Sequence, residues 1–588
     1  MNKYKKYTNR ENVLLLLIST LIFILNSYWI FSNRRGGILD IDEAGYLTMA
    51  WNNWNSIGLE GLFGFSQSFV NQPLHAPLQP AMSALLFIPV GPKIFIALLT
   101  PTIFYVGIFA VVYKILRRIY PSLESLGLAF FVSQLNFLVA YSRNYNFAII
   151  TTFFVMLALY LIVFKNSISK LENVILGFVL GGILLSRTVS VIYLPFLAVI
   201  FIVIQIINKR KKIDTLKSVI IISVSFLVVI YPWLNKNFTL VYTYLTSYGY
   251  GERSKEYGSE NYALSFTNIL EQIYRYTIYQ YSITSILVFI FIPLYFLFKK
   301  FLKKNVDSDA KELRDDGNKV QILTMLFFIL GSTLVIMSSR NRGSGFEIPL
   351  IITFHLLLLY TIRIEFNKFI GIFIIILLFL QTTIFVSPKA LERFPIKDLS
   401  IPFTRIQIQL SPDNNITLSY LEGGLNGVIL SEAESQKYNW LLKGTDQNLE
   451  WNKAKVDLIR FLEKTNSDSQ FVLLATRHRI INPNSLNLIR AQERKEMIPF
   501  RFLPAQEISQ SSDSEIREII SREFETKPCT IITSSGKLNE ILPAVDQKYI
   551  TEKLKQEQYT LRIKIRLPDD RDVELFQNMR ICPYLPKE

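Results

Sequence analysis

The sequence predicts a polytopic α-helical membrane protein of about eleven spans, followed by a soluble α/β domain. Three observations carry that prediction. Half of the 588 residues are hydrophobic and only 19% are charged, below the roughly 25% of globular chains, and the mean hydropathy is +0.29. Apolar runs of spanning length follow one another through the first two thirds of the chain. Beyond residue 387 those runs stop, and short helix-like and strand-like segments alternate. A wholly soluble protein is excluded.

Taken in order, a basic start (Lys3, Lys5, Lys6, Arg10) leads into an apolar run at 13–31. That run is longer than the apolar region of a signal peptide and no small-x-small cleavage site follows cleanly, so it reads as a retained first helix. Further runs cover 93–113, 123–141, 147–164, 173–185, 189–207, 216–233, 284–298, 322–337, 348–362 and 369–386. The stretch 78–89 is shorter, ends in Pro-Val-Gly-Pro, and reads as a span or a re-entrant hairpin. The positive-inside rule decides between these. With 78–89 kept outside, Lys114, Arg117 and Arg118, Lys165 and Lys170, the basic run 209–212, Lys299 to Lys304, and Arg363 with Lys368 all join the N-terminus on one face. The predicted layout is a transmembrane domain at 1–387 with outer loops at 32–92 and 234–282, a charged inner connector at 301–320, and an extracytoplasmic α/β domain at 388–588. Within the last, helices are predicted at 451–464, 514–524 and 538–556, and strands at 471–475, 529–533 and 560–567. The expected location is a bacterial plasma (inner) membrane, crossed many times.

The net charge of +16 speaks in such a chain to orientation and to anionic membrane lipids; nothing reads as a nucleic-acid binder. Two cysteines, Cys529 and Cys582, allow at most one bridge and no thiolate metal site. His478, between two arginines, reads as an exposed loop residue.

Three features carry chemistry. The run Asp40-Ile41-Asp42-Glu43-Ala44-Gly45-Tyr46 stands at the outer mouth of the first span, where crowded carboxylates beside a bilayer raise the pKa of at least one of them. The competing reading is helix capping, with Asp42 and Glu43 opening an amphipathic stretch at 44–54. Prolines on either side of His75 set an extended path ahead of the hairpin and aim that histidine at the membrane surface. Finally, Arg34, Arg35, Arg143, Arg187, Arg340 and Arg342 lie at outer ends of spans, against the charge rule. Arginine's rigid fork matches phosphate oxygens, so a membrane-embedded phosphate or diphosphate is one explanation and headgroup snorkelling the other. A base, phosphate-binding cations and a covering loop are equipment for moving a group from a lipid-phosphate carrier to a hydroxyl.

The order of these pieces resembles the integral-membrane glycosyltransferases of the GT-C superfamily, in particular the protein mannosyltransferase and lipid A aminoarabinose transferase branch with its bacterial cell-surface relatives. Asp42-Glu43-Ala44-Gly45-Tyr46 is similar to the family's Asp-Glu-Ala-x-Tyr, and His75-Ala76-Pro77-Leu78 to its His/Lys-Pro-Pro-Leu. Tyr141-Ser142-Arg143, Phe153-Phe154 with Leu157 to Tyr160, Leu185-Ser186-Arg187 and Pro232-Trp233 through Asn237 resemble further family motifs in the family's order. The resemblance spans about 14–386 and does not extend to the C-terminal domain.

It implies an inverting transfer of a sugar from a polyprenyl-phosphate donor to a lipid, glycan or protein acceptor on the extracytoplasmic side. Asp42 would take the acceptor proton and Glu43 would orient or support it. Arg143, Arg187, Arg340 and Arg342 would hold the donor phosphate, with Asp40, Tyr46 and His75 among the substrate-binding residues. Relatives that bind a divalent metal carry acidic residues where this chain has Leu74 and Ala148, so the resemblance brings no ligand set with it and leaves a metal open. Two other classes compete: a transporter or flippase of lipid-linked sugars, and a non-catalytic envelope scaffold. Transporters tend to internal repeats and midplane charges, which are missing from this sequence. The identity of sugar and acceptor is not encoded in any feature above.

Overall fold

The computed structural model describes residues 2–34, 39, 41–72, 76–165, 168–208, 211–251, 316–339, 345–362, 399–400, 407–408, 445–465, 471–476, 480–503, 512–535, 547–568 and 571–581. The spans predicted at 284–298 and 369–386 and most of the connector at 301–320 lie outside these residues. The chain divides into two compact units. One gathers Met1–Ile30, Phe65–Leu86 and Leu98–Ile429; the other gathers Phe31–Gly64, Phe87–Ala97 and Leu430–Glu588. Much of the first predicted outer loop is thus grouped with C-terminal residues.

The apolar part forms helices α1 (Asn2–Arg34), α2 (Ile41–Val70), α3 (Leu78–Val90), α4 (Ile94–Leu116), α5 (Ser122–Ser133), α6 (Asn136–Ser142), α7 (Ala148–Leu159), α8 (Lys170–Ser186), α9 (Leu194–Ile207), α10 (Lys212–Gly249), α11 (Asp316–Ser338) and α12 (Ile348–Ile362). Five stretches among them are long and apolar enough to cross a membrane: Glu11–Phe31, Ile94–Leu116, Thr188–Ile207, Lys212–Gly249 and Lys319–Ser338. At 13 residues, about 20 Å of rise, α3 is too short to cross a 30 Å core alone.

Several apolar runs are not the plain helices their hydropathy suggests. The run 123–141 breaks between α5 and α6, and the Ser133 carbonyl at the break accepts from the Tyr105 hydroxyl at 2.7 Å, which keeps a backbone group satisfied where water is scarce. The run 147–164 ends in a π-helical turn, Tyr160–Phe164, and the run 189–207 begins as a 3₁₀ turn, Thr188–Tyr193. Helix α10 continues well past the expected end at 233: its 38 residues reach about 57 Å, nearly twice a bilayer core. Residues 234–249 of the second predicted outer loop are therefore helical. Close packing of α8 on α10 explains two glycines four residues apart. A Cβ on Gly177 would meet the Ile222 carbonyl at 2.5 Å, and one on Gly181 would meet Val229 at 3.1 Å.

In the second unit the C-terminal residues form α13 (Thr445–Thr465), α14 (Pro483–Gln492), α15 (Asp513–Glu525) and α16 (Gln547–Gln556). They accompany strands β3 (Val472–Leu474), β4 (Phe500–Phe502), β5 (Thr530–Ser535), β6 (Thr560–Arg566) and β7 (Asp572–Gln577); a separate two-stranded pair, β1 (Leu399–Ser400) with β2 (Gln407–Ile408), precedes them in the first unit. The five strands order as β4-β3-β5-β7-β6, parallel across β4, β3 and β5 and antiparallel thereafter. The C-terminal unit is α/β, as the alternation of segments predicts. Its core joins sheet residues Leu473 and Ile531 to Ile520 and Phe524 of α15 and Ile550 and Leu554 of α16. Cys529, ahead of β5, is disulfide-bonded, and Cys582 is the chain's one other cysteine.

Candidate active site

Helix α2 starts at the acidic motif, and its 3.6-residue period sorts the motif's side chains. Glu43, Ala44, Leu47, Thr48, Ala50 and Trp51 are buried, whereas Asp42 is exposed. Trp51 and Trp54 pack edge-on against Phe87, with ring centroids 4.9 and 6.3 Å away. Glu43, 1% exposed, is neutralised by Arg34 at 6%: one terminal guanidinium nitrogen lies 2.7 and 2.6 Å from the two carboxylate oxygens. Arg34, one of the six arginines at outer ends of spans, is paired here with a carboxylate. It is a buried counter-ion, because the only low-energy way to bury Glu43 is with a hydrogen-bonded opposite charge.

Arg143 follows α6 and is 3% exposed. Its Nε donates to Asn26 Oδ1 at 2.5 Å, and its guanidinium stacks over Trp29 at 4.5 Å. Asn26 is itself held, donating to Thr102 Oγ1 at 2.9 Å and Ser142 Oγ at 3.0 Å. The orientation of the guanidinium plane is set by both a hydrogen bond and a ring.

Arg187 stands where α8 ends. Its extended backbone (φ −162°, ψ 122°) turns the chain into the 3₁₀ segment, and its guanidinium lies 3.8 Å from the centroid of Phe346. The Phe346 carbonyl accepts from the Tyr193 hydroxyl. Just before it, Gly345 adopts φ +81°, and a Cβ there would come 2.7 Å from Ala148 and 3.2 Å from the Tyr141 ring. The 345–347 turn therefore packs on the Tyr-Ser-Arg segment on one side and under Arg187 on the other.

The Pro-Trp motif of α10 anchors the segment leading to His75. Trp233 Nε1 donates to the Gln72 carbonyl at 2.7 Å, Asn237 Nδ2 to the Val70 carbonyl at 2.8 Å, and Lys236 bonds the Asn71 side chain. Asp40, His75, Arg340, Arg342, Arg35 and His478 lie outside the described residues. Tyr46 is half-buried one turn beyond Asp42 on the same stripe of α2. Ala148 is a packed methyl group at the start of α7, and among the described residues no group of three His, Cys, Asp or Glu side chains could hold a metal ion.

Asn26, Trp29 and Phe346 did not stand out in the sequence. A polar residue near the end of a span, Asn26, is the one signal that could have marked them.

Residues 73–235 match the family model described as dolichyl-phosphate-mannose-protein mannosyltransferase. Over that segment the chain is similar to the integral-membrane glycosyltransferases of the GT-C superfamily. The crystal structure of ArnT from Cupriavidus metallidurans bound to undecaprenyl phosphate is similar at 10% identity, covering 96% of this chain and 97% of that one with a TM-score of 0.50. The apo-form crystal structure of the Archaeoglobus fulgidus oligosaccharyltransferase is similar at 11% identity, covering 89% and 69%, with a TM-score of 0.41. No curated protein matches by sequence.

Proposed function

We propose that the protein transfers a sugar, with inversion, from a polyprenyl-phosphate donor to a hydroxyl of a lipid, glycan or protein acceptor on the extracytoplasmic face of the membrane. The observation that carries this reading is the separation of two adjacent acids. Glu43 is buried and neutralised by Arg34, so it serves to hold the helix, while Asp42 is exposed on the same rigid turn and serves as general base. In the transfer, Asp42 takes the acceptor hydroxyl proton, the oxygen bonds the anomeric carbon, and the bond from that carbon to the phosphate oxygen breaks. The polyprenyl phosphate leaves with the electron pair, its charge met by Arg143 and Arg187, whose planes are fixed before substrate arrives.

A lipid-phosphate carrier is favoured by the family match over 73–235 and by a similar fold that binds undecaprenyl phosphate in ArnT. The extracytoplasmic placement is favoured by the positive-inside reading and by the Cys529 disulfide, since disulfides persist in oxidising compartments. The test is turnover of the full chain with a polyprenyl-phosphate sugar fraction extracted from bacterial membranes, read as released polyprenyl phosphate. Asp42→Asn is expected to lower kcat roughly hundredfold with unchanged thermal stability. Retention of more than about a tenth of wild-type turnover would show that Asp42 is not the base.

A further inference from the structure

The C-terminal domain has no place in the transfer as written, yet one of its helices grips the acid-bearing helix at two points. The Asn484 side-chain amide, in the first turn of α14, donates to the Ile41 carbonyl at 2.9 Å, one residue before Asp42. At the other end of α14, the Ala491 carbonyl accepts from the Asn55 side-chain amide at 2.9 Å. Ile41, Gly45 and Asn55 fall within about 80° of one another around α2, because relative to Ile41 a step of four residues overshoots one turn by roughly 40° and a step of fourteen falls roughly 40° short of four turns.

Gly45 shows how close the approach is. A Cβ there would stand 2.9 Å from Asn484 Nδ2 and 3.2 Å from its Cγ, so a side chain at this point of the acidic motif would displace the Asn484 amide from its present position. The helix start that carries Asn484 is itself fixed. Pro483 opens the helix beside it, Asn482 Oδ1 accepts from the Ser485 N–H at 2.9 Å, Ser485 Oγ accepts from the Asn482 N–H at 3.1 Å, and Ser485 Oγ donates to the Ile480 carbonyl at 2.6 Å.

We infer that Asn484 is a positioning residue for Asp42, and that the C-terminal domain is a working part of the transferase that sets the angle of its catalytic helix. Two anchors fourteen residues apart on α2 fix both its height and its rotation. Rotation is what matters to the base, since a side chain one residue from the anchor moves with the helix, and a displacement of about 1 Å can cost a reaction on the order of a hundredfold. The inference rests on the reading of Asp42 as general base.

The test uses the full-length protein in nanodiscs, the extracted polyprenyl-phosphate sugar fraction as donor, and undecaprenyl phosphate as a competitive probe of the donor site. Asn484→Ala is expected to lower kcat by roughly ten- to hundredfold while the inhibition constant of undecaprenyl phosphate stays within about twofold, because the arginines are untouched. Gly45→Ala is expected to lower kcat similarly in the wild-type background and to add nothing in the Asn484→Ala background, since both break one contact. Asn55→Ala, at the far anchor, is expected to show the same split between kcat and inhibition constant, and it keeps the question open to measurement should Asn484→Ala fold poorly. Unchanged kcat in Asn484→Ala and Asn55→Ala beside an inactive Asp42→Asn would overturn the positioning role and leave the base standing. Loss of stability and of undecaprenyl phosphate inhibition together in both anchor variants, or additive effects of Gly45→Ala and Asn484→Ala, would equally overturn it. An active Asp42→Asn would instead remove the base on which it rests.

Discussion

Asp42 and Glu43 are neighbours of the same chemical type, and burial gives them opposite tasks. A rotation of about 100° between adjacent positions sends Glu43 inward to Arg34 and leaves Asp42 at the surface. Removing one partner of a buried pair strands a charge, so Arg34→Ala is expected to destabilise the protein by about 3–5 kcal/mol, read as a fall in thermal midpoint in detergent. Replacing both residues together, Arg34→Met with Glu43→Met, should recover most of that loss, since an apolar pair of similar volume carries no desolvation penalty. A failure of the double variant to recover would mean that the pair acts through something other than mutual neutralisation. Arg143 belongs to a different case. Lysine lacks both the Nε that engages Asn26 and the plane that stacks on Trp29. Arg143→Lys is therefore expected to lower kcat/KM for the donor fraction roughly ten- to hundredfold, about 1.4–2.8 kcal/mol, in initial rates at fixed acceptor. An effect under about twofold would reduce it to a headgroup contact.

Helix α13 poses the clearest question at the scale of an element. Its residues Trp451, Leu458, Ile459 and Leu462 are buried, and so is Lys455 at 4% exposure, whose ammonium burial pushes down from 10.5 to about 8. Between those two pH values the unfolded chain binds the proton that the folded chain has lost, so stability rises as pH rises through the window. Below it the folded protein bears the full penalty of a buried cation, on the order of 3 kcal/mol. Lys455→Met is expected to raise the thermal midpoint at pH 7 and to flatten its rise between pH 8 and 10.5, measured by tryptophan fluorescence of the full chain in detergent. An unaltered pH slope in the variant would place that dependence elsewhere. Helix α10 offers the complementary lesson. One continuous helix carries both an apolar spanning stretch and, through Trp233 and Asn237, the anchors for the segment ahead of His75.

Across the whole molecule, the grouping of residues 31–64 with 430–588 ties the acidic motif to the C-terminal α/β domain. If the motif works outside the cytoplasm, that domain must lie there too. An impermeant maleimide added to intact spheroplasts should label an introduced cysteine at the exposed Lys555 without lysis. Cys529 is unsuitable as the reporter because it is disulfide-bonded. Labelling only after lysis would invert the topology and move the proposed transfer to the cytoplasmic side.

Hydropathy and charge alone determined the membrane class, the positions of most described apolar helices and the alternation of the C-terminal unit, because lipid demands long apolar runs and a half-buried sheet demands short ones. The segments α14, β4 and β7 escaped it: α14 is short and mostly polar, and β4 has three residues, so neither imposes a readable period. The acidic motif and the arginines were legible as chemistry, since charge beside a bilayer is costly wherever it stands. Which acid is exposed, which arginine is a counter-ion and which is held against Trp29 were decided only by the tertiary structure. Burial and pairing are properties of neighbours, and the decisive neighbours are far apart along the chain: Arg143 and Asn26 by 117 residues, Asn484 and Ile41 by 443.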